Sequence, residues 1–184
     1  MNLSKFTSSI RFKLLNQAYY NWIKKGDKIL DIGCGNGIIA KLLKDNFEIS
    51  ITGCDVKNYL IYDLPFIKVG YGDLSLIRKK FDIAMLNDVL HHMPKDEQKK
   101  LILESLNIAK KLLIFEAEPT LNGKIADLIL NKYHYGNMNV PLSFRSIKDW
   151  QKLFKKLPLK SKIIRIKKPL WYPFSHIAIL LKKE

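Results

Sequence analysis

Four short stretches of this 184-residue chain bring together side chains with chemistry to offer. The first is Asp31-Ile32-Gly33-Cys34-Gly35-Asn36-Gly37, an acid followed by three glycines at alternate positions. Glycines so placed let the backbone take positive φ and let a ligand lie directly against it. The acid suits an ammonium group, reached directly or through water, and would repel a pyrophosphate. The second is Asp55, 22 residues beyond Gly33, close to where an acid at a strand end accepts two hydrogen bonds from a ribose diol. The third is His91-His92 in a loop after an apolar run, two imidazoles in the right pKa range for a general base. The fourth, Gly72-Asp73-Leu74, is weaker, because Gly-Asp is a common turn dipeptide.

Spacing narrows the ligand. A dinucleotide turn, G-x-G-x-x-G, would need glycine at position 38, where the chain has Ile38. No Gly-Lys-Ser/Thr follows either, so a phosphate loop of the Walker type is excluded. Cys34 and Cys54 are the only cysteines, too few for a disulfide framework, and the adjacent histidines have no Cys or acid partner at ligand spacing, so no metal is expected.

The elements that must position these residues follow from hydrophobic periodicity. Apolar residues at helical spacing over 10–25 predict an N-terminal helix within residues 1–26, closed by Lys24-Lys25-Gly26, either as a lid over the site or as a helix packed on a sheet. Strands are expected at 28–32, 48–55, 66–69 and 111–118 and from Phe81 into the loop that carries the two histidines, with helices at 37–46 and 95–109 between them, and two closing strands at 162–168 and 174–182. Residues 119–145 leave this alternation, with a helix near 124–132 and then an aromatic, polar loop from Tyr133-His134-Tyr135 to Pro141. Loops at strand carboxyl ends are where acceptors bind, so 119–145 is read as a substrate-specificity insertion. Glu116 and Glu118 leave the fifth strand as candidates to face that pocket or as solvated loop acids. Ser146 and Asp149 form a capping box for a helix through Trp150 and Phe154.

The acid-x-Gly-x-Gly-x-Gly stretch, Asp55, and Leu90-His91-His92 after strand four together resemble the class I S-adenosylmethionine-dependent methyltransferases, in the group acting mostly on small molecules, lipids or quinone-type substrates. The resemblance covers nearly the whole chain. It implies a single α/β domain over 1–184, a Rossmann-like seven-stranded sheet in the order 3-2-1-4-5-7-6 with strand 7 antiparallel and helices on both faces. It implies S-adenosyl-L-methionine as cofactor and S-adenosyl-L-homocysteine as product. Gly33, Cys34, Gly35 and Gly37 would form the loop, Asp31 with Asn87 and Asp88 the methionine end, Asp55 and Val56 the ribose side, and Asp73 and Leu74 the adenine side. His91 and His92 are the catalytic candidates, with pocket-lining or structural roles as the alternative. Ser143-Phe144-Arg145 resembles a segment of the same group whose Arg often faces the active site. The absence of Asn-Pro-Pro-Tyr, Asp-Pro-Pro-Tyr and Pro-Cys disfavours the branches that methylate amino groups on nucleic acid or protein, and cytosine C5.

Composition bounds the partners. The net charge is +15, and 28 of the 32 basic residues are lysine, as a solvated lysine surface would have. An anionic membrane surface or RNA is the functional alternative. No apolar run spans a bilayer and the N-terminus lacks a signal-peptide pattern, so a cytoplasmic protein is expected. The expected activity is methylation of a small-molecule or lipid-like acceptor. Methylation of RNA, or a non-catalytic cofactor-binding module that stabilises a partner, stand as alternatives. The sequence leaves the oligomeric state open.

Overall fold

A computed structural model describes residues 3–135 and 141–184. Seven strands, β1 (Lys28–Ile32), β2 (Ser50–Asp55), β3 (Phe66–Lys68), β4 (Phe81–Asn87), β5 (Ala109–Ala117), β6 (Leu159–Arg165) and β7 (His176–Lys183), form one sheet. Its order is β3-β2-β1-β4-β5-β7-β6, and β7 runs antiparallel to both neighbours. The expected topology is therefore the observed one. The helices are α1 (Leu3–Tyr19), α2 (Ile38–Phe47), α3 (Lys95–Ile108), α4 (Leu121–Tyr135) and α5 (Ile147–Phe154), with a single 3-10 turn at Leu90–His92.

Strand parity divides the core in two. Leu30, Ala84, Leu86, Leu112 and Ile114 face one side, under α3 and α5, while Ile29, Ile83, Met85, Leu113 and Phe115 face the other, under α1 and α2. Both faces of the central strands are covered, which is why β1, β4 and β5 read as near-continuous apolar runs. Polar residues appear where those runs reach their carboxyl ends: Asp31, Asn87 and Glu116. The chain turns from β1 to β2 on one side and to β4 on the other, so the crevice at the carboxyl ends of β1 and β4 is the switch point of the sheet, where such folds hold ligands.

Several boundaries differ from expectation, among them β6, which runs Leu159–Arg165 rather than over 162–168. Helix α1 ends at Tyr19 rather than near Gly26. Trp22 and Ile23 fold back, their N–H groups both donating to Tyr19 O, and bury their side chains, and Gly26, at φ 82°, turns the chain into β1 instead of capping a helix. Strand β2 begins at Ser50 because Glu48 takes a left-handed conformation that ends α2. Helix α4 continues through Tyr133-His134-Tyr135, so those three belong to a helix and not to a loop. Their side chains, part of the expected substrate-specificity insertion, and all of 136–140 lie outside the described residues. The capping box at Ser146 and Asp149 is present as expected, with both reciprocal hydrogen bonds.

Candidate active site

The carboxyl ends of β1, β2 and β4 open into a cavity of about 360 Å³. Its floor is the glycine turn. Gly33, Gly35 and Gly37 have φ of 70°, 51° and 74°, a region that L side chains rarely enter. The turn is also crowded: a Cβ on Gly37 would lie 2.5 Å from Leu60 Cδ2, and one on Gly33 2.6 Å from Val89 Cγ2. Two hydrogen bonds hold it to β2, from the N–H groups of Gly33 and Cys34 to Cys54 O. Asp55 then secures the loop through its side chain, Oδ2 accepting from Gly35 N at 3.0 Å and Oδ1 from Val56 N at 2.7 Å. Burial raises the Asp55 carboxyl above its ordinary value despite these two bonds. Cys34 lines the same cavity, and burial pushes its thiol far up, so it offers no thiolate.

Equal strand parity brings Asp31 beside Asn87. Asn87 Nδ2 donates to Asp31 Oδ1 at 3.4 Å, and the buried Tyr19 hydroxyl donates to Asn87 Oδ1 at 2.7 Å. Burial raises the Asp31 carboxyl to about 7, the Asn87 hydrogen bond partly opposing it. A carboxylate held at this poise gains most from an arriving cation, since neutralisation relieves its desolvation.

Asp88 has φ 55°, an uncommon conformation that Asp tolerates better than most residues. Its carboxylate meets Arg11 Nε at 3.0 Å and His176 Nε2 at 3.2 Å. Burial alone would raise Asp88, but Arg11 and His176 outweigh it and hold the group well below the usual carboxylate range. Thr7, Ser8 and Arg11 thus make α1 a wall of the cavity, while Leu14, Leu15, Ala18 and Tyr19 of the same helix pack on the sheet. The amino-terminal part of α1 thus borders the cavity, and its carboxyl-terminal part packs on the sheet.

The two histidines separate in role. His91 is 3% exposed and stacks on Phe144, with ring planes 8° apart. Its Nδ1 sits 2.6 Å from Glu116 Oε2, and its Nε2 faces Asp127 Oδ1 at 3.5 Å. Burial would lower its pKa, but Glu116 first and then Asp127 carry it up to about 10. His91 is a buried cation and not a free base. Only His92 lines the cavity. Burial, then the charge on His91, lowers it to about 4, so at neutral pH it is uncharged.

Glu116 is the staple of this turn. Its Oε1 accepts from Val89 N and Leu90 N at 2.9 and 2.7 Å, while Oε2 holds His91. Gln98, fully buried on α3, closes the turn from the other side by donating to Leu90 O, Met93 O and Ser143 O. Arg145 donates to Gln98 Oε1 and Lys95 O and lies over the Trp150 ring. It supports the loop and does not line the cavity, because its guanidinium is occupied on the α3 side.

Val69, Leu74, Met93 and Leu101 give the cavity an apolar slot near Gly70-Tyr71-Gly72. Asp73 is outside this lining. It is solvent-exposed, and its Oδ1 accepts from Ser75 N at 2.8 Å, closing its own turn.

Comparison with known proteins agrees with this arrangement. A family model described as a methyltransferase domain matches residues 30–112, from β1 into β5. Over these residues the chain is similar to the methyltransferase domain. Among curated methyltransferases, a ribosomal protein L11 methyltransferase of Helicobacter pylori is 28% identical over 151 residues, 73% of this chain and 42% of that protein. The chain spans less than half the length of this relative. In fold it is similar to human N-acetylserotonin methyltransferase in complex with SAM, at TM-score 0.71 and 16% identity, covering 97% of this chain and 53% of that one. It is likewise similar to magnesium protoporphyrin IX methyltransferase from Synechocystis with bound SAH, at TM-score 0.67 and 15% identity, covering 97% and 84%.

Of the candidate residues, the structure gathers Asp31, Gly33, Cys34, Gly35, Asp55, Val56, Leu74, Asn87, Asp88 and His92 around one cavity. Gly37 opens α2 behind it, and Asp73 and His91 stand outside its lining. Tyr19, Arg11, Asp127 and His176 were not singled out from sequence. For Asp127 a signal existed: it is the one acid within Leu121–Tyr135.

Proposed function

We propose that the chain binds S-adenosyl-L-methionine in this cavity and transfers its methyl group to a small-molecule or lipid-like acceptor, releasing S-adenosyl-L-homocysteine. The observation that carries the reading is one continuous cavity with two ends of different chemistry. One end has a left-handed glycine floor, the Asp31–Asn87–Tyr19 chain and Asp55. The other is walled by Arg11, His92 and Asp127 from three separate elements.

The residues present fit the cofactor. Asp31 suits its ammonium group, Asp55 has lone pairs left for a ribose diol after holding Gly35 and Val56, and the Val69, Leu74 and Leu101 slot suits adenine. The cofactor supplies an electrophilic methyl group on a sulfonium. The protein's part is to align the acceptor and exclude water. Arg11 and Tyr19 fix Asp88 and Asn87 from α1, so the helix that closes the cavity also sets its polar floor. His92, uncharged and facing the cavity, orients the acceptor through a hydrogen bond. At a pKa of about 4 it is a poor final holder of a proton.

A protein acceptor is a second reading, supported by the curated relatives and by the +15 charge, which would suit a ribosomal or RNA surface. An assay of S-adenosylhomocysteine release distinguishes the two. The chain is offered a panel of phenols, quinols and anionic lipid vesicles, and separately recombinant L11 and ribosomal RNA. Turnover with the first panel alone supports the small or lipid-like acceptor. Turnover with L11 or RNA alone overturns it.

A further inference from the structure

The two histidines were set aside as metal ligands because no acid lies near them in sequence, but the fold supplies one. Asp127, on α4, meets His91 and His92 from across the cavity wall, and one ligand atom from each of the three lies within 4.8 Å of the others. We propose that His91, His92 and Asp127 form a binding site for a divalent transition metal of the zinc type, beside the acceptor end of the cavity.

Four observations support it. First, among the described residues His92 Nδ1 is buried and makes no hydrogen bond, and the buried His91 Nε2 has only the Asp127 carboxylate, at 3.5 Å, beside it, which is costly for polar atoms unless something else engages them. Second, His91 Nε2 and Asp127 Oδ1 are 3.5 Å apart. That is too long for a charge-assisted hydrogen bond, and about the edge expected between two ligands each roughly 2.1 Å from a tetrahedral ion. Third, His91 Nδ1 is held by Glu116 at 2.6 Å, and Glu116 is itself fixed by two backbone N–H groups. A carboxylate gripping the far nitrogen is how ligating imidazoles are usually oriented. Fourth, three carboxylates, Asp88, Glu116 and Asp127, surround His91, against the cations of Arg11 and whatever proton the imidazoles hold.

Two imidazoles and one carboxylate favour zinc, iron or manganese over magnesium, which prefers oxygen ligands. Three protein ligands leave a position open, and His92 and Asp127 both line the cavity, so that position faces the acceptor. The ligand class it would take is an oxygen acceptor such as a phenol, enol or carboxylate, whose proton a Lewis acid makes easier to lose. This last step rests on the methyl-transfer reading, whereas metal binding does not.

The test uses the full chain free of any affinity tag and stripped with a chelator. Calorimetric titration with Zn²⁺ should give one equivalent per chain, with Mg²⁺ giving none. His92→Ala and Asp127→Asn should each weaken Zn²⁺ at least tenfold, and Glu116→Gln by about 10- to 100-fold, while a variant lacking both Cys34 and Cys54 keeps it. Should a histidine variant fail to fold, Co²⁺ added to the unaltered chain decides, through the visible bands of a tetrahedral nitrogen and oxygen site without thiolate charge transfer. No stoichiometric Zn²⁺, or Zn²⁺ affinity unchanged in both His92→Ala and Asp127→Asn, overturns the site. Parallel titration with S-adenosylhomocysteine separates this outcome from failure of the cofactor reading, because each ligand is scored alone.

Discussion

Replacing Glu116 by Gln should destabilise the protein strongly, and in a pH-dependent way. Its carboxylate is 1% exposed, accepts from Val89 N and Leu90 N, and faces the His91 imidazolium at 2.6 Å. Removing one partner of a buried ion pair costs about 3–5 kcal/mol, mostly by stranding the other charge. His91 supplies the pH dependence. Its folded pKa of about 10 lies above the ordinary 6.5, so its stabilisation is fully present below 6.5 and is lost as pH rises through 10. Linkage gives about 4–5 kcal/mol at about pH 6 and about 1–2 kcal/mol at about pH 9. Glu116 is the largest cause raising His91, so most of that difference should vanish in the variant. Urea denaturation of both proteins between about pH 6 and 9 would measure it. The destabilisation should be largest at the acid end and shrink by about 2–3 kcal/mol toward the alkaline end. A gap below about 1 kcal/mol at pH 6, or one that stays flat with pH, would refute the account of the staple.

Further outcomes follow from the cavity floor. Gly37→Ala places a Cβ 2.5 Å from Leu60 in a left-handed turn. It should cost about 1–3 kcal/mol in urea unfolding and weaken S-adenosylhomocysteine binding measured by calorimetry. Tyr19→Phe removes the hydrogen bond to Asn87, and a loss of about 1 kcal/mol is expected in the same unfolding assay. Asp31 titrates at about 7, and in the proposed reading its ionised form holds the ammonium group, so affinity for S-adenosylmethionine should peak just above that pH and fall again where the ligand's own amino group loses its proton, at about pH 8. Below the Asp31 pKa, affinity should fall about tenfold per unit. Calorimetry should show this dependence flattened, and the binding weaker, in Asp31→Asn.

Much of this was legible in the chain itself. Periodicity located all seven strands, and the acid with three alternate glycines marked the switch point, because those signals are local. The Asp55 spacing was readable for the same reason, although its grip on Gly35 N was not. What sequence could not display were the contacts made across the fold. Tyr19 reads as one more apolar residue of a helix, and its hydroxyl gains meaning only when α1 is laid over Asn87. Glu116 looked equally suited to pocket or solvent, because nothing local shows that strand parity turns it toward the Leu90–His92 backbone. His91 and His92 are neighbours in sequence, yet one is buried between acids and the other lines the cavity. Asp73 does sit in the Gly-Asp turn that its sequence predicts, and its Oδ1 closes that turn on Ser75 N, which the sequence alone does not display. Arg145 likewise serves Gln98 and Lys95 O, partners 47 and 50 residues away.

The measurement that bears most directly on the central claim is calorimetric titration of the chain with S-adenosylmethionine, S-adenosylhomocysteine and NAD, repeated on Asp55→Ala. The account predicts one site for each sulfur nucleoside, none for NAD, and a loss of about tenfold or more in affinity on removing the Asp55 carboxylate. Absence of binding by both sulfur nucleosides, or binding unaffected by Asp55→Ala, would contradict it.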